Sequence, residues 1–302
     1  MNKNFTISGY STALFSTWWF IQEYGILFDC GDGVVSHLLQ KSRKIKHIFI
    51  SHPDRDHLMG IFQVLQLNAR EGGFPKIYYP KHSGSFKAME SFTKQFDKQV
   101  ELTEWIPMEA GQEVEVQNGL FVQAIGNRHF PVIDGKVKCF SFHLIEKRKK
   151  LKPEFQTLSS QEIIDLKNLH GPNYITSLVP DTILSYSADT QVEWDGRWDN
   201  THTLIHEATF LEQPDGKIIQ ERFNKHSVLD DVIKMVSQTK VQCLILGHIS
   251  TRYYPDQIDE AIRTSCKTHG LDIPVYRILP GEFLWDVIDA GMVELENTKK
   301  EI

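Results

Sequence analysis

The 302-residue chain contains no run of 18 or more apolar residues, so no membrane-spanning helix is expected. Its opening segment, MNKNFTISGYST, has no charged stretch followed by a long apolar one, so no secretory leader is expected. Cysteine is scarce: Cys30, Cys139, Cys243 and Cys266 are scattered and form no C-x-x-C pair. That excludes a disulfide framework and favours a reduced, cytoplasmic protein with free thiols. An excess of positive charge is also missing, with 33 Lys and Arg against 39 Asp and Glu and a net charge of −6. A broad nucleic-acid-binding face is therefore disfavoured, although a local basic patch is not. No internal repeat or low-complexity segment occurs. The remaining composition, 41% hydrophobic and 24% charged, is that of an ordinary globular protein. One domain spanning 1–302 is expected.

Short apolar runs alternate with helical stretches, which predicts an α/β (α+β) architecture. Strands are expected at the start of GILFDCGDG (25–33), in KHIFIS (46–51) and in KIYYP (76–80). Further strands are expected in TILSYSADT (182–190), TLIHEATF (203–210) and QCLILGHIS (242–250). Helices are expected after Gly33, over 56–70 with Gly72-Gly73 as its end, over 84–96, over 227–237 and over 255–268. Asn118-Gly119 and Asp134-Gly135 read as hairpin turns between β-rich segments. Residues 146–173 change character. They open with Lys147, Arg148, Lys149, Lys150 and Lys152, continue through a helix capped at Ser159/Ser160, and end at His170-Gly171-Pro172. This stretch is the candidate arm or insertion. Phe15, Trp18, Trp19 and Phe20 are expected in the core.

The chemistry concentrates in His52-x-Asp54-x-Asp56-His57, at the end of a strand. Four groups able to bind a metal fall within six residues there. A divalent cation needs lone-pair donors that converge without straining the backbone, and loops at strand ends supply them. Three more candidates also sit at strand ends: His129 in AIGNRHFP, Asp189 in SYSADT and His248 in LILGH. Each alone reads as a hydrogen-bonded side chain or a cap. Together they make a set large enough for two adjacent metal ions.

These motifs resemble those of the metallo-β-lactamase superfamily, and within it most resemble the ribonuclease Z family of tRNA 3′-processing endonucleases. LFDCGDG resembles the first motif, with Asp29 as its structural acid. SHPDRDHLMG resembles the metal motif, and SADT the later one. HEATF (206–210), Lys225-His226-Ser227 and LGHISTRY (246–253) are the stretches most specific to ribonuclease Z. The resemblance implies a four-layer αβ/βα sandwich. It implies one metal held by His52, His129 and Asp189, with Asp54 in the remaining position. It implies a second held by Asp56, His57, Asp189 and His248. A hydroxide between two divalent ions, by resemblance zinc, would attack phosphorus, with Asp56 at its side among the catalytic residues. Glu207 and His226 would deliver a proton to the leaving oxygen. Arg252 would clamp a phosphate. A homodimer is implied in the same way, and no membrane partner.

Two features depart from the family pattern. Asp54 stands where the family has its second His. A carboxylate there makes the site one unit less positive and favours Mn²⁺ or Fe²⁺ over Zn²⁺. The arm also lacks a long Gly-rich run, so tRNA as substrate stays open beside small phosphodiesters. A di-iron redox protein and a non-catalytic protein with a decayed site are the remaining alternatives.

Overall fold

A computed structural model describes residues 5–69, 73–211 and 225–293. The first sheet begins with β1 (Ile7–Thr12), β2 (Ser16–Ile21), β3 (Ile26–Phe28), β4 (His47–Phe49), β5 (Lys76–Pro80) and β6 (Trp105–Met108). The second holds β7 (Glu113–Gln117), β8 (Leu120–Gly126), β9 (Phe140–Leu151), β10 (Thr176–Tyr186), β11 (Thr203–Glu207), β12 (Cys243–Gly247) and β13 (Val275–Arg277). A last strand, β14 (Phe283–Leu284), returns to pair with β1. Spatial order follows chain order within each sheet. In each, the first strands pair antiparallel and the later ones parallel.

Helices cover the outer faces. Helices α1 (Val34–Leu38), α2 (Ile61–Leu67) and α3 (Ser85–Phe96) lie on the first sheet. Next come α4 (Ser160–His170) and α5 (Pro172–Ile175), and then α6 (Leu229–Ser237) and α7 (Pro255–His269), which cover the second sheet. This is the expected four-layer αβ/βα sandwich. Strand alternation builds it. Trp18, Phe20 and Leu27 point to the helices, while Trp19, Ile21 and Phe28 point between the sheets. Likewise Leu204, Leu244 and Leu246 meet α6 and α7, and Ile205 and Ile245 meet the opposite sheet. Strands buried on both faces read as continuous apolar runs. Among the described residues no helix is long and apolar enough to cross a membrane.

Several local expectations need correction. The helix expected from Asp56 is instead a single 3₁₀ turn, Arg55–His57, followed by α2. Cys30 N–H binds the His57 carbonyl and Gly60 N–H binds the Cys30 carbonyl, which locks this turn against the loop after β3. A Cβ on Gly60 would lie 2.1 Å from the Gly31 carbonyl, so the two backbones meet where no side chain fits. Helix α2 ends at Leu67, before the Gly72-Gly73 expected to stop it; 70–72 lie outside the described residues. Asn68 ends it by donating its amide to the Val64 and Ser42 carbonyls. Helix α6 starts at Leu229, two residues later than expected. Trp18, Trp19 and Phe20 are core, but Phe15 is 62% exposed on the β1–β2 turn. Two strands, β1 and β2, were not anticipated. The hairpin turn at Asn118-Gly119 is present between β7 and β8, and Asp134 and Gly135 both have positive φ.

The basic residues Lys147 to Lys150 of the candidate arm lie in the outer half of β9, which pairs with β10 from Glu146↔Asp181 to Leu151↔Thr176, and Lys152 follows its end. The hairpin carries α4 and α5 at its tip, and α4 buries none of its residues. Ser159 caps α4 through a reciprocal bond with Glu162.

Candidate metal centre

The proposed ligands all follow strand ends on one rim of the sandwich: His52 to His57 after β4, His129 after β8, Asp189 after β10 and His248 after β12. Ligands in open α/β sheets gather at such carboxyl ends. The structure brings the named residues together. Five imidazoles close a ring, with centroids 4.2 Å apart for His52–His57, 5.5 Å for His57–His248, 5.3 Å for His248–His226, 5.0 Å for His226–His129 and 4.8 Å for His129–His52. Asp189 Oδ2 lies among them, 3.7 Å from His52 Nε2, 3.2 Å from His57 Nε2 and 3.3 Å from His248 Nε2.

Two ligand groups share this carboxylate. Asp54 Oδ2 lies 3.7 Å from His52 Nε2 and 3.8 Å from His129 Nε2. Asp56 Oδ2 lies 3.6 Å from His57 Nε2 and 3.5 Å from His248 Nε2. Ligands about 2.0–2.1 Å from a tetrahedral ion are separated by roughly 3.3–3.4 Å, so these spacings suit small divalent cations. Asp54 thus points into the group in which its identity departs from the family pattern.

The donor atoms also need a partner. The Nε2 atoms of His52, His57, His129 and His248, with Asp189 Oδ1, are buried and make no hydrogen bond to the described residues. Burying five such atoms unpaired is costly, and a cation that takes their lone pairs removes the cost. The opposite nitrogen of each ring is fixed. His57 Nδ1 binds Asp29 Oδ2 at 2.8 Å, and His129 Nδ1 binds the Lys225 carbonyl at 3.0 Å. Ser51 Oγ donates to Asp29 Oδ2 at 2.9 Å, so it accepts from His52 Nδ1 at 2.8 Å. Thr209 Oγ1 donates to Glu207 Oε2 at 2.6 Å, so it accepts from His248 Nδ1 at 2.9 Å. Fixing Nδ1–H as donor leaves Nε2 as a lone pair aimed inward.

Backbone strain collects here too. Asp29, Ala188 and His248 have φ of 56°, 51° and 57°, a left-handed conformation unusual for residues with a side chain. Each lies just past a strand end, where it carries or adjoins a carboxylate or imidazole of the site.

The electrostatics follow from the crowding. Burial alone would raise Asp189, but His248 and His57 outweigh it and hold the carboxyl well below its usual range. Burial likewise lowers His57, yet Asp189 and Asp29 override it and raise the ring well above its usual value. At His52, burial and the adjacent His57 outweigh Asp189 and push the ring well down. His226 meets burial on one side and Glu207 on the other, and the carboxylate prevails, raising it to about 9.

Glu207 and His226 form the expected pair, with His226 Nδ1 donating to Glu207 Oε1 at 3.0 Å. His226 Nδ1 lies 4.0 Å from Asp189 Oδ2, and the ring also clusters with His129 and Asp189 and with Glu207 and His248. Arg252 lies outside both groups, its guanidinium 5.3 Å from the Phe210 ring, which is edge-on to His226.

Sequence reasoning missed Ser51, Tyr186, Thr209 and Glu193. Tyr186 donates to Asp29 at 2.6 Å. Glu193 accepts from the Arg128 N–H at 3.1 Å and the Thr190 hydroxyl at 3.2 Å, and pairs with Arg197 at 2.7 Å. It therefore ties the residue before His129 to the residue after Asp189. Ser51 and Thr209 had a faint signal, since each is a neighbour of a predicted site residue. Tyr186 and Glu193 had none.

Comparison with known proteins agrees with this geometry. Residues 24–151 match the model of the β-lactamase superfamily domain. Ribonuclease Z of Listeria monocytogenes is 29% identical over 263 residues, covering 78% of this chain and 81% of the relative. Ribonuclease Z of Bacillus cereus is 27% identical over 264 residues, covering 78% and 82%. Among solved structures, the metallo-β-lactamase fold protein YhfI of Bacillus subtilis superposes with a TM-score of 0.62 at 15% identity, covering 93% of this chain and all (100%) of that one. The short form of human tRNase Z gives 0.57 at 17%, covering 93% and 98%. Fold, site and sequence likeness together make this chain a metal-dependent hydrolase with the metallo-β-lactamase fold, similar to ribonuclease Z.

Proposed function

We propose that the chain hydrolyses phosphodiesters at a pair of divalent cations. His52, Asp54, His129 and Asp189 would hold one, and Asp56, His57, His248 and Asp189 the other. The observation that carries this reading is the set of buried Nε2 atoms without partners, split into two groups around one carboxylate. When bound, such cations supply an acidified water and neutralise charge building on the phosphoryl oxygens. Asp56 would stand beside that water as a carboxylate of its group. His226, held by Glu207, gives a proton to the leaving oxygen. Arg252 meets a non-bridging phosphate oxygen. Asp54 lowers the positive charge of its group, which favours Mn²⁺ or Fe²⁺ there over Zn²⁺.

The relatives' name supports an RNA substrate, and the projecting basic hairpin offers it a surface. A second reading, small phosphodiesters without tRNA, is favoured by how that hairpin spends its charge. Lys147 pairs with Glu113 and Arg148 with Glu146. The four cysteines are free and buried, in keeping with a cytoplasmic protein.

Assays on bis(p-nitrophenyl) phosphate and on a precursor tRNA with a 3′ trailer divide the readings. Hydrolysis of both supports the RNA reading, hydrolysis of the ester alone supports the second, and hydrolysis of neither refutes the proposal. Asp54→His is expected to raise zinc content and the rate with zinc. An unchanged content and rate would remove Asp54 from the ligand set.

A further inference from the structure

Beside the metal centre lies a cleft of about 330 Å³, walled by Tyr10, Thr12, Phe15, Thr251, Tyr253 and Pro255. It carries no charged side chain. Its floor is continuous with the centre, because Thr12 pairs with Ile249, the residue after His248. Gly281 N–H donates to Thr12 Oγ1 at 2.9 Å and closes the far side.

Arg252 connects the two. Its guanidinium lies 5.3 Å from the Phe210 ring and 5.9 Å from the Tyr253 ring, and Nε donates to Ser250 Oγ at 3.1 Å. Its terminal nitrogens bond no other described residue. Phe210 in turn stands edge-on to His226 at 6.3 Å. A line of groups therefore runs from the proton donor through an unpaired cation to an aromatic wall. The patch is also apolar and open, with Leu14 86%, Phe15 62% and Tyr254 75% exposed. Large exposed apolar groups gathered beside an active centre mark a binding surface.

We propose that this cleft is a nucleobase subsite, in which a base joined to the scissile phosphodiester stacks on Phe15 and Tyr253. The inference rests on the phosphodiesterase reading and adds the chemistry of the esterified group. The walls are flat, aromatic and uncharged, which suits a base rather than a sugar phosphate. The hydroxyls of Tyr10, Thr251 and Tyr253 make no hydrogen bond to described residues and are free for a base edge. Arg252 stands where the phosphate of that nucleotide meets a positive charge.

The test uses the metal-loaded chain and three esters: methyl p-nitrophenyl phosphate, and thymidine 5′- and 3′-(p-nitrophenyl phosphate). One thymidine ester is expected to exceed the methyl ester roughly tenfold in kcat/KM, mainly through KM, the size of one stacked base. Phe15→Ala with Tyr253→Ala should bring the thymidine-to-methyl ratio to near unity, while Tyr253→Phe retains it. A ratio near unity in the parent chain, or one that survives the double variant, overturns the subsite. Failure to hydrolyse any of the three overturns the phosphodiesterase reading instead. Equilibrium dialysis with thymidine 5′-monophosphate against methyl phosphate reads the cleft without turnover. Equal affinities there also overturn the subsite.

Discussion

Two buried carboxylates, Asp29 and Glu207, stand behind the centre on opposite sheets and are wired alike. Each binds one imidazole directly, His57 or His226, and a second through a hydroxyl, His52 through Ser51 or His248 through Thr209. Their products differ. Both rings behind Asp29 present unpaired Nε2 atoms to the ligand groups. Of the rings behind Glu207, only His248 does so, and His226 stays partly exposed and charged. On the proposed reading, one relay serves metal ligands alone, and the other serves a ligand and a proton donor.

The largest way to break this symmetry is Asp29→Asn. It removes the acceptor for His57, for Ser51 and for the Tyr186 hydroxyl at a position that is fully buried. Loss of one partner from such a network costs about 3–5 kcal/mol. Both cations should weaken together, and denaturant melts should lose that stability. Full metal content would show that Asp29 orients nothing.

His226→Gln should act on the other side of the comparison. Metal content should hold while kcat falls ~10²–10⁴-fold, the usual range for a lost general acid. The fall should be larger for a poor alkoxide leaving group than for p-nitrophenolate. An equal fall for both would mean that His226 carries no proton to the leaving oxygen.

His143 shows what an imidazole does without a carboxylate. Its only side-chain hydrogen-bond partner among the described residues is the Ser185 hydroxyl, at 2.6 Å, and burial pushes it down to about 4. The unfolded ring titrates near ~6.5. Its folded pKa is depressed, so the stability tied to the neutral ring is fully present above ~6.5. It is lost as pH falls toward about 4, by up to roughly 3 kcal/mol. Urea melts of His143→Gln should lose that slope, and an unchanged slope would assign it to other groups.

The smallest effect expected is that of Glu193→Gln. It should weaken the cation on the His129 side roughly tenfold and leave the His248 side near its parent value, within the range for outer partners of metal ligands. Stepwise chelation resolves the two. Uniform weakening would make Glu193 a general stabiliser.

What could be read from the sequence follows from where information is local. His52 to His57 is legible because four donors fall within six residues at a strand end. His129, Asp189 and His248 are legible because each closes an apolar run. The relays are not, because Asp29 meets Ser51, His57 and Tyr186, and Thr209 meets His248, only after folding, across as many as 157 positions. Strand β2 was missed because STWWFI is buried on both faces and shows no alternation. The strand pairing inside the candidate arm was not legible for the converse reason, because a strand that projects beyond its neighbours keeps both faces wet and accepts lysines in place of alternation.

The account depends most on two cations sharing Asp189. Metal analysis of the chain purified without added metal tests this directly. The account predicts two divalent ions per chain, falling to about one in Asp54→Ala. A parent chain that binds none, or a variant that still binds two, would contradict it.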